Sequence, residues 1–200
     1  MDAAVALVQA YLRVNGYFTV SEYPVLEATR NGDYRMATDL DLLAFRFPRA
    51  GRRVLRDPTG GEGPPRFAPD PELGAPGDEA DMLIAEVKEG RAEFNAGTRD
   101  PDVLAAALLR FGCCSEDHAG GAIEELLRKG RATLPNGHRV RMVAFGGKGG
   151  GGTAVDTVVP LARVVAFLRS HLEDHWDVLR HAQFKDPTLG LLMVMAKARP

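Results

Sequence analysis

The first half of the chain passes from a helical spacing of apolar residues to the composition of strands. Apolar residues recur every three to four positions over 2–14, which predicts an amphipathic helix that ends at Asn15-Gly16. Residues 17–27 and 34–47 are rich in aromatic and β-branched types and are typical of strands. The intervening Asn31-Gly32-Asp33 favours a tight turn, so this region is predicted to be a hairpin.

A third strand and two helices are predicted in the middle of the chain. Residues 81–88 are almost continuously apolar, as in a strand that is buried on both faces. Asp100-Pro101 provides a helix cap and a proline at the first helical position, which predicts a helix to about residue 111. A second helix is predicted over 116–129, and the pattern of 131–145 predicts another hairpin.

Two segments lack any apolar period. Residues 48–79 contain 7 of the 13 prolines and 6 glycines, which predicts a long inserted loop. Residues 146–152 are mostly glycine and are predicted to form a flexible loop. Helices are expected to follow over 160–174 and 187–197.

This order of elements predicts an α/β fold with a mixed central sheet flanked by helices. We expect a single domain over residues 1–200, because the length suits one domain and no internal repeat is present. Its core would cover about residues 1–146 around the inserted loop at 48–79. A helical extension would occupy about residues 155–200.

The charge and cysteine content narrow the function classes. The chain has 25 Lys and Arg against 27 Asp and Glu, so nucleic-acid binding would need a local basic patch. The two cysteines, Cys113 and Cys114, are adjacent, which favours reduced thiols in a cytoplasmic protein. Neither a signal peptide nor an apolar run long enough to span a bilayer is recognisable, so no membrane association is expected.

Charged residues at the ends of two predicted strands suggest a metal-dependent site. Asp39 and Asp41 would share one face of the second strand, and Glu86 and Lys88 one face of the third. If these strands pair, two carboxylates and an ammonium group meet. Hard cations such as Mg²⁺ or Mn²⁺ are held by carboxylates together with substrate phosphate. Phosphodiester hydrolysis is therefore the chemistry that these residues suggest.

These motifs resemble the PD-(D/E)xK, or restriction-endonuclease-like, nuclease superfamily, and most of all its small Holliday-junction-resolvase-like bacterial members. The resemblance lies in Asp41-Leu-Leu-Ala, in the apolar strand that ends in Glu86-x-Lys88, and in the helix and glycine-aromatic pair of residues 5–18. It covers about residues 4–112. It implies that Asp41 and Glu86 are metal ligands and that Lys88 is catalytic. Asp39 is a further candidate metal ligand, and the role of an ordinary polar strand residue explains it equally well.

The resemblance implies a nuclease that acts on DNA in preference to RNA, and it allows a homodimer, since such nucleases often pair to cut two strands. The chain departs from many members in lacking an acidic residue inside the first helix, where it has Gln9. The alternative is therefore a nuclease-like fold that no longer cleaves and that binds nucleic acid or a protein partner.

An arginine-rich segment follows the strand of Asp41. The bidentate guanidinium group suits phosphate, so this segment is a candidate nucleic-acid contact, with a solvated loop as the alternative. Its members are Arg46, Arg49, Arg52, Arg53 and Arg56.

Three further features are weaker candidates. Glu22 on the first strand would face the site or form an exposed edge. The basic residues between Arg128 and Arg141 suggest a second contact surface or, more simply, a solvated hairpin. His171 and His175 have a spacing that can bind zinc, which raises a zinc hydrolase as a third hypothesis, although the polar face of an amphipathic helix explains them more simply.

Overall fold

The computed structural model describes residues 2–51, 67–112, 114–148 and 155–198. Its strands are β1 (Phe18–Ala28), β2 (Tyr34–Arg46), β3 (Asp81–Arg91), β4 (Arg131–Thr133), β5 (Arg139–Lys148) and β6 (Thr157–Pro160). Its α-helices are α1 (Ala3–Val14), α2 (Pro101–Phe111), α3 (Glu116–Lys129), α4 (Leu161–Asp174), α5 (Trp176–Leu179) and α6 (Pro187–Lys197). A short 3₁₀ helix covers Pro71–Leu73.

The strands form one mixed sheet in the order β1-β2-β3-β5-β4, which confirms the predicted α/β class with a mixed sheet flanked by helices. Strands β1, β2 and β3 are antiparallel neighbours, and β5 runs parallel to β3. The other side of β5 pairs with β4 over its first residues and with β6 over its later ones.

Two apolar layers cover the two faces of the sheet. Helices α2 and α3 pack on the face that carries Met82 and Ile84 of β3. Helices α1, α4 and α6 pack on the opposite face, which carries Leu83 and Ala85. Because successive strand residues point to opposite faces, Glu86 and Lys88 belong to the α2–α3 side.

Side-chain caps mark the starts of three predicted helices, α1, α2 and α6. The Asp2 carboxylate accepts a hydrogen bond from the Ala4 backbone N–H at 2.7 Å, and Asp100 accepts one from the Asp102 N–H at 2.8 Å. Asp186 caps α6 in the same way. Such caps satisfy N–H groups that the helix itself leaves unpaired.

The predicted flexible loop at 146–152 is wrong in its first part, because Gly146 and Gly147 belong to β5. A Cβ atom on Gly146 would lie 2.5 Å from the backbone nitrogen of Ala92, and one on Gly147 would collide with the carbonyl oxygen of Glu89. These glycines thus allow close backbone contact rather than flexibility. Strand β6 was not predicted from the pattern of the sequence.

The edge strand β1 is irregular. Glu22 has a left-handed φ of 52°. Glu22 and Asp41 would be opposite each other but do not pair, whereas the residues on either side of them do. Pro24 lies two residues further along the same strand and has no N–H group. The register between β1 and β2 shifts between Val25 and Leu26, and a bulge of this kind bends a strand and redirects its side chains.

A buried ion-pair network connects β3 to β5. The Arg141 guanidinium donates to both carboxylate oxygens of Asp81, at 2.9 and 2.7 Å, and neither side chain has any exposed surface. Tyr17 donates its hydroxyl hydrogen to Asp81, and Asp156 pairs with Arg141 at 3.2 Å.

Within the described ranges, no helix combines the length and the apolar character needed to cross a bilayer.

Candidate functional site

Asp41 lies where β2 separates from β3. Pairing between these strands runs from Arg46 and Asp81 to Leu42 and Ala85 and ends there. One residue beyond the last pair, the Asp41 carboxylate accepts a hydrogen bond from the Val87 backbone N–H at 2.7 Å. The side chain thereby satisfies a donor of β3 that the ladder leaves unpaired. Strands β2 and β3 therefore diverge at the Asp41 carboxylate.

Glu86 lies on the neighbouring strand and is 1% exposed. Its Oε1 atom accepts a hydrogen bond from Asn95 Nδ2 at 2.8 Å, and its Oε2 atom accepts one from Thr98 Oγ1 at 2.7 Å. Lys88 Nζ forms an ion pair with Oε1 at 2.5 Å. A buried carboxylate requires such partners, because its desolvation is otherwise very costly.

Asp41, Glu86 and Lys88 also interact electrostatically. Burial raises the pKa of Asp41 above its ordinary value, and the negative charges of Glu86 and Asp39 raise it further. The hydrogen bond from the Val87 N–H and the positive charge of Lys88 lower this pKa, but by less. Burial opposes the charge of Lys88, yet the hydrogen bond and charge of Glu86, with Asp41 and Asp39, hold its pKa above the ordinary value. Carboxylates that repel one another in this way favour a nearby cation.

The donor chemistry of the site fits a hard divalent cation. No group of three or more His, Cys, Asp or Glu side chains surrounds a common point in the part of the chain that the structure describes. A magnesium site needs fewer protein ligands, because waters and substrate phosphate complete its coordination. Among the described residues, Asp41 Oδ1 accepts no hydrogen bond, whereas both Glu86 oxygens do. Asp41 Oδ1 is therefore the carboxylate oxygen that a cation could reach first, and Glu86 would join it through the oxygen that now holds Lys88.

Asp39 is exposed, and its charge raises the pKa of both Asp41 and Lys88. It is thus an electrostatic neighbour of the site. An irregularity of β2 at Asp41 breaks the alternation from which a common face for Asp39 and Asp41 was predicted, since Leu40 packs on the α2–α3 side and Leu42 on the other.

The arginine-rich segment is not beside the site, as the structure places its described members. Arg46 pairs with Asp81 at the start of β3, whereas Glu86 lies near its end. Arg46 lies five residue steps along the strand from Asp41, which corresponds to roughly 16 Å. Arg49 follows in the same direction and pairs with Asp78 at 3.1 Å. Arg52, Arg53 and Arg56 lie outside the described residues.

Arg46 is also unavailable for phosphate, which corrects its prediction as a nucleic-acid contact. Its side chain is buried, and its three guanidinium nitrogens donate to the carbonyl oxygens of Asn15 at 3.2 Å, Pro76 at 2.7 Å and Ala50 at 2.6 Å. Arg46 therefore ties the end of α1 to two loop segments.

We expect Arg46→Met to lower the free energy of unfolding by about 1–3 kcal/mol, because buried carbonyl groups lose their donors. The matched variant Arg49→Met breaks only an exposed ion pair and should change that free energy by less than about 0.5 kcal/mol. Urea denaturation measures both. A stable Arg46→Met protein with weakened DNA binding would contradict this structural role.

The second basic cluster is engaged in ion pairs, and one of its members lies in the interior. Arg141 is fully buried, and Arg131 and Arg139 form ion pairs with Asp156 at 3.0 and 3.7 Å. Lys129 pairs with Glu125. These contacts favour a structural role over a second contact surface.

The histidine pair lies in an aromatic cluster. The rings of His171 and His175 are 4.8 Å apart, and Phe67 packs against both at 4.9 and 4.5 Å. Among the described residues, no group of three or more His, Cys, Asp or Glu side chains could hold a metal ion here, so the zinc hypothesis gains no support from the structure.

The structure adds two polar residues that the sequence analysis did not select, Asn95 and Thr98. Both lie in the segment between β3 and α2, and Asn95 Oδ1 also accepts a hydrogen bond from the Thr98 N–H at 2.7 Å. An Asn three residues before a Thr, ahead of an Asp-Pro helix start, is the local signal that indicates this turn.

Comparisons of the chain with protein-family models, with curated proteins and with solved structures give no match.

Proposed function

We propose that this protein is a divalent-metal-dependent nuclease of the restriction-endonuclease-like class that hydrolyses phosphodiester bonds in DNA. The observation that carries the proposal is the meeting of Asp41, Glu86 and Lys88 at the point where β2 leaves β3. In the sheet, β1, β2 and β3 are neighbours, and α1 packs on one of its faces. This arrangement supports the fold that the resemblance implies. We propose DNA rather than RNA as the substrate because residues 4–112 resemble nucleases that act on DNA junctions.

A bound Mg²⁺ or Mn²⁺ ion would supply Lewis-acid polarisation of the phosphoryl group and a water of lowered pKa. Asp41 presents a half-buried carboxylate whose charge favours a cation at this position. Glu86 holds the ammonium group of Lys88 at the site. Lys88, once released toward substrate, positions the attacking water or stabilises negative charge that develops on the phosphate.

The test is cleavage of supercoiled plasmid, single-stranded and four-way-junction DNA with Mg²⁺ or Mn²⁺. We expect cleavage that EDTA abolishes and that Glu86→Gln lowers by about 100-fold, because the charge that completes the site is removed. The exposed Glu27→Gln variant is the matched control and should cleave like the wild type. Cleavage that survives Glu86→Gln would refute the assignment of the site.

A second candidate function is favoured by the occupied state of Glu86, whose two oxygens already accept three donors. On this alternative the protein binds nucleic acid, or a protein partner, without cleaving. DNA binding that weakens steeply with salt, in the absence of cleavage with either metal, would support it. The absence of both binding and cleavage would point to a protein partner.

A further inference from the structure

The segment between β3 and α2 forms a polar support beneath Glu86. Thr98 has no exposed surface, and its hydroxyl group is directed at Glu86 Oε2. Asn95 donates to Glu86 Oε1 through its amide nitrogen and accepts the Thr98 N–H through its amide oxygen. The two side chains therefore fix both oxygens of one carboxylate and also fix each other.

The same segment contacts the strand of Asp41. A Cβ atom on Gly97 would lie 3.0 Å from Thr38 Oγ1 and 3.1 Å from Thr38 Cβ, so glycine permits a close approach to β2. Thr38 is three residues before Asp41, in the part of β2 that has no ladder bonds to β3. The turn at residues 95–98 thus contacts both β2 and β3 in the region where these strands separate.

We propose that Asn95 and Thr98 are positioning residues of the site, which hold the Glu86 carboxylate in the orientation needed to act with Asp41 and Lys88. The inference rests on the proposed nuclease function for its catalytic consequence. The orientation of the Glu86 carboxylate by these two side chains does not depend on that function. Neutral donors to a ligating carboxylate set its direction, and their loss typically costs about 10- to 100-fold in metal affinity or activity.

Thr98→Val keeps the shape of the side chain and removes its donor, whereas Thr98→Ser keeps the hydroxyl group. We expect Thr98→Val to lower kcat for plasmid cleavage by about 10-fold or more, with KM for DNA within about twofold, and Thr98→Ser to recover most of the rate. Thr133→Val, at an exposed position of β4, is the matched control for this substitution and should retain the wild-type rate.

Two readouts do not require cleavage. The first is the affinity for Mn²⁺ alone, measured by calorimetry, which should fall by about 10-fold in Thr98→Val but not in Thr98→Ser. The second is the NMR signal of the Glu86 side-chain carboxyl carbon, assigned with Glu86→Gln, which should move only in Thr98→Val. If Thr98→Val does not fold, Asn95→Asp replaces it, because it keeps the acceptor for the Thr98 N–H and removes the donor to Glu86.

The outcomes separate the two proposals. If the wild type cleaves no substrate but Thr98→Val alone disturbs Mn²⁺ affinity and the Glu86 signal, the nuclease proposal fails and the positioning role stands. If Thr98→Val leaves Mn²⁺ affinity and the Glu86 signal unchanged, the positioning role is overturned whether or not DNA is cut. Equal defects in Thr98→Val and Thr98→Ser would also overturn it, since the hydroxyl donor would not be the cause.

Discussion

Asp41→Asn is expected to lower the rate of DNA cleavage by about 10³-fold, which corresponds to about 4 kcal/mol of transition-state stabilisation. The asparagine carbonyl group can still accept the Val87 N–H, so the end of the strand pairing should be preserved. What the variant loses is the negative charge of the carboxylate that we propose as a metal ligand. Mn²⁺ affinity should fall with the cleavage rate, while the urea midpoint changes little.

Two acidic residues of the same hairpin provide controls for Asp41→Asn. Asp33→Asn changes an exposed turn residue and should cleave at the wild-type rate. Asp39→Asn removes an electrostatic neighbour, so a small loss is expected if Asp39 only contributes charge, and a loss equal to that of Asp41→Asn if it binds metal. Wild-type cleavage by Asp41→Asn would exclude this site as the catalytic centre.

Asp81→Ala is expected to lower the free energy of unfolding by about 3–5 kcal/mol, because it leaves the Arg141 guanidinium buried without its main counterion. Although burial opposes the charge of Arg141, the hydrogen bonds and charge of Asp81 hold its pKa above the ordinary value. The Tyr17 hydroxyl group loses its acceptor as well. Urea or thermal unfolding measures the effect.

Asp78→Ala is the matched control for Asp81→Ala, because it removes an aspartate whose ion pair with Arg49 is exposed on both sides. Its effect should stay below about 0.5 kcal/mol. If the two variants lost the same stability, the buried pair would carry no special weight. Restoring stability with a double change of Asp81 and Arg141 to apolar residues would show that the unpaired charge was the cause.

Apart from the short helix α5, which was not predicted, the described helices and the first hairpin were predictable from the sequence because their signals are local. Asp100-Pro101 determines a helix start by its own cap, and Asn31-Gly32 favours a tight turn. The meeting of Asp41 with Glu86 and Lys88 was also expected from the alternation and adjacency of strands.

The remaining features depend on contacts between distant parts of the chain. Nothing near Arg46 in the sequence indicates that carbonyl groups from three other positions surround it. Likewise, the glycines at 146 and 147 resemble a flexible loop until the backbone at Ala92 is placed against them. Thr98 is an ordinary loop residue in sequence, and only the return of the chain after β3 places it under Glu86.

The irregular edge of the sheet has a consequence for how copies of the protein behave at high concentration. Strand β1 is eleven residues long, a length at which an unbroken edge would offer another chain a template for pairing. The left-handed residue at Glu22, the proline at position 24 and the register shift between Val25 and Leu26 interrupt the regular geometry of that strand. These interruptions of β1 therefore also protect the protein against edge-to-edge aggregation through that strand.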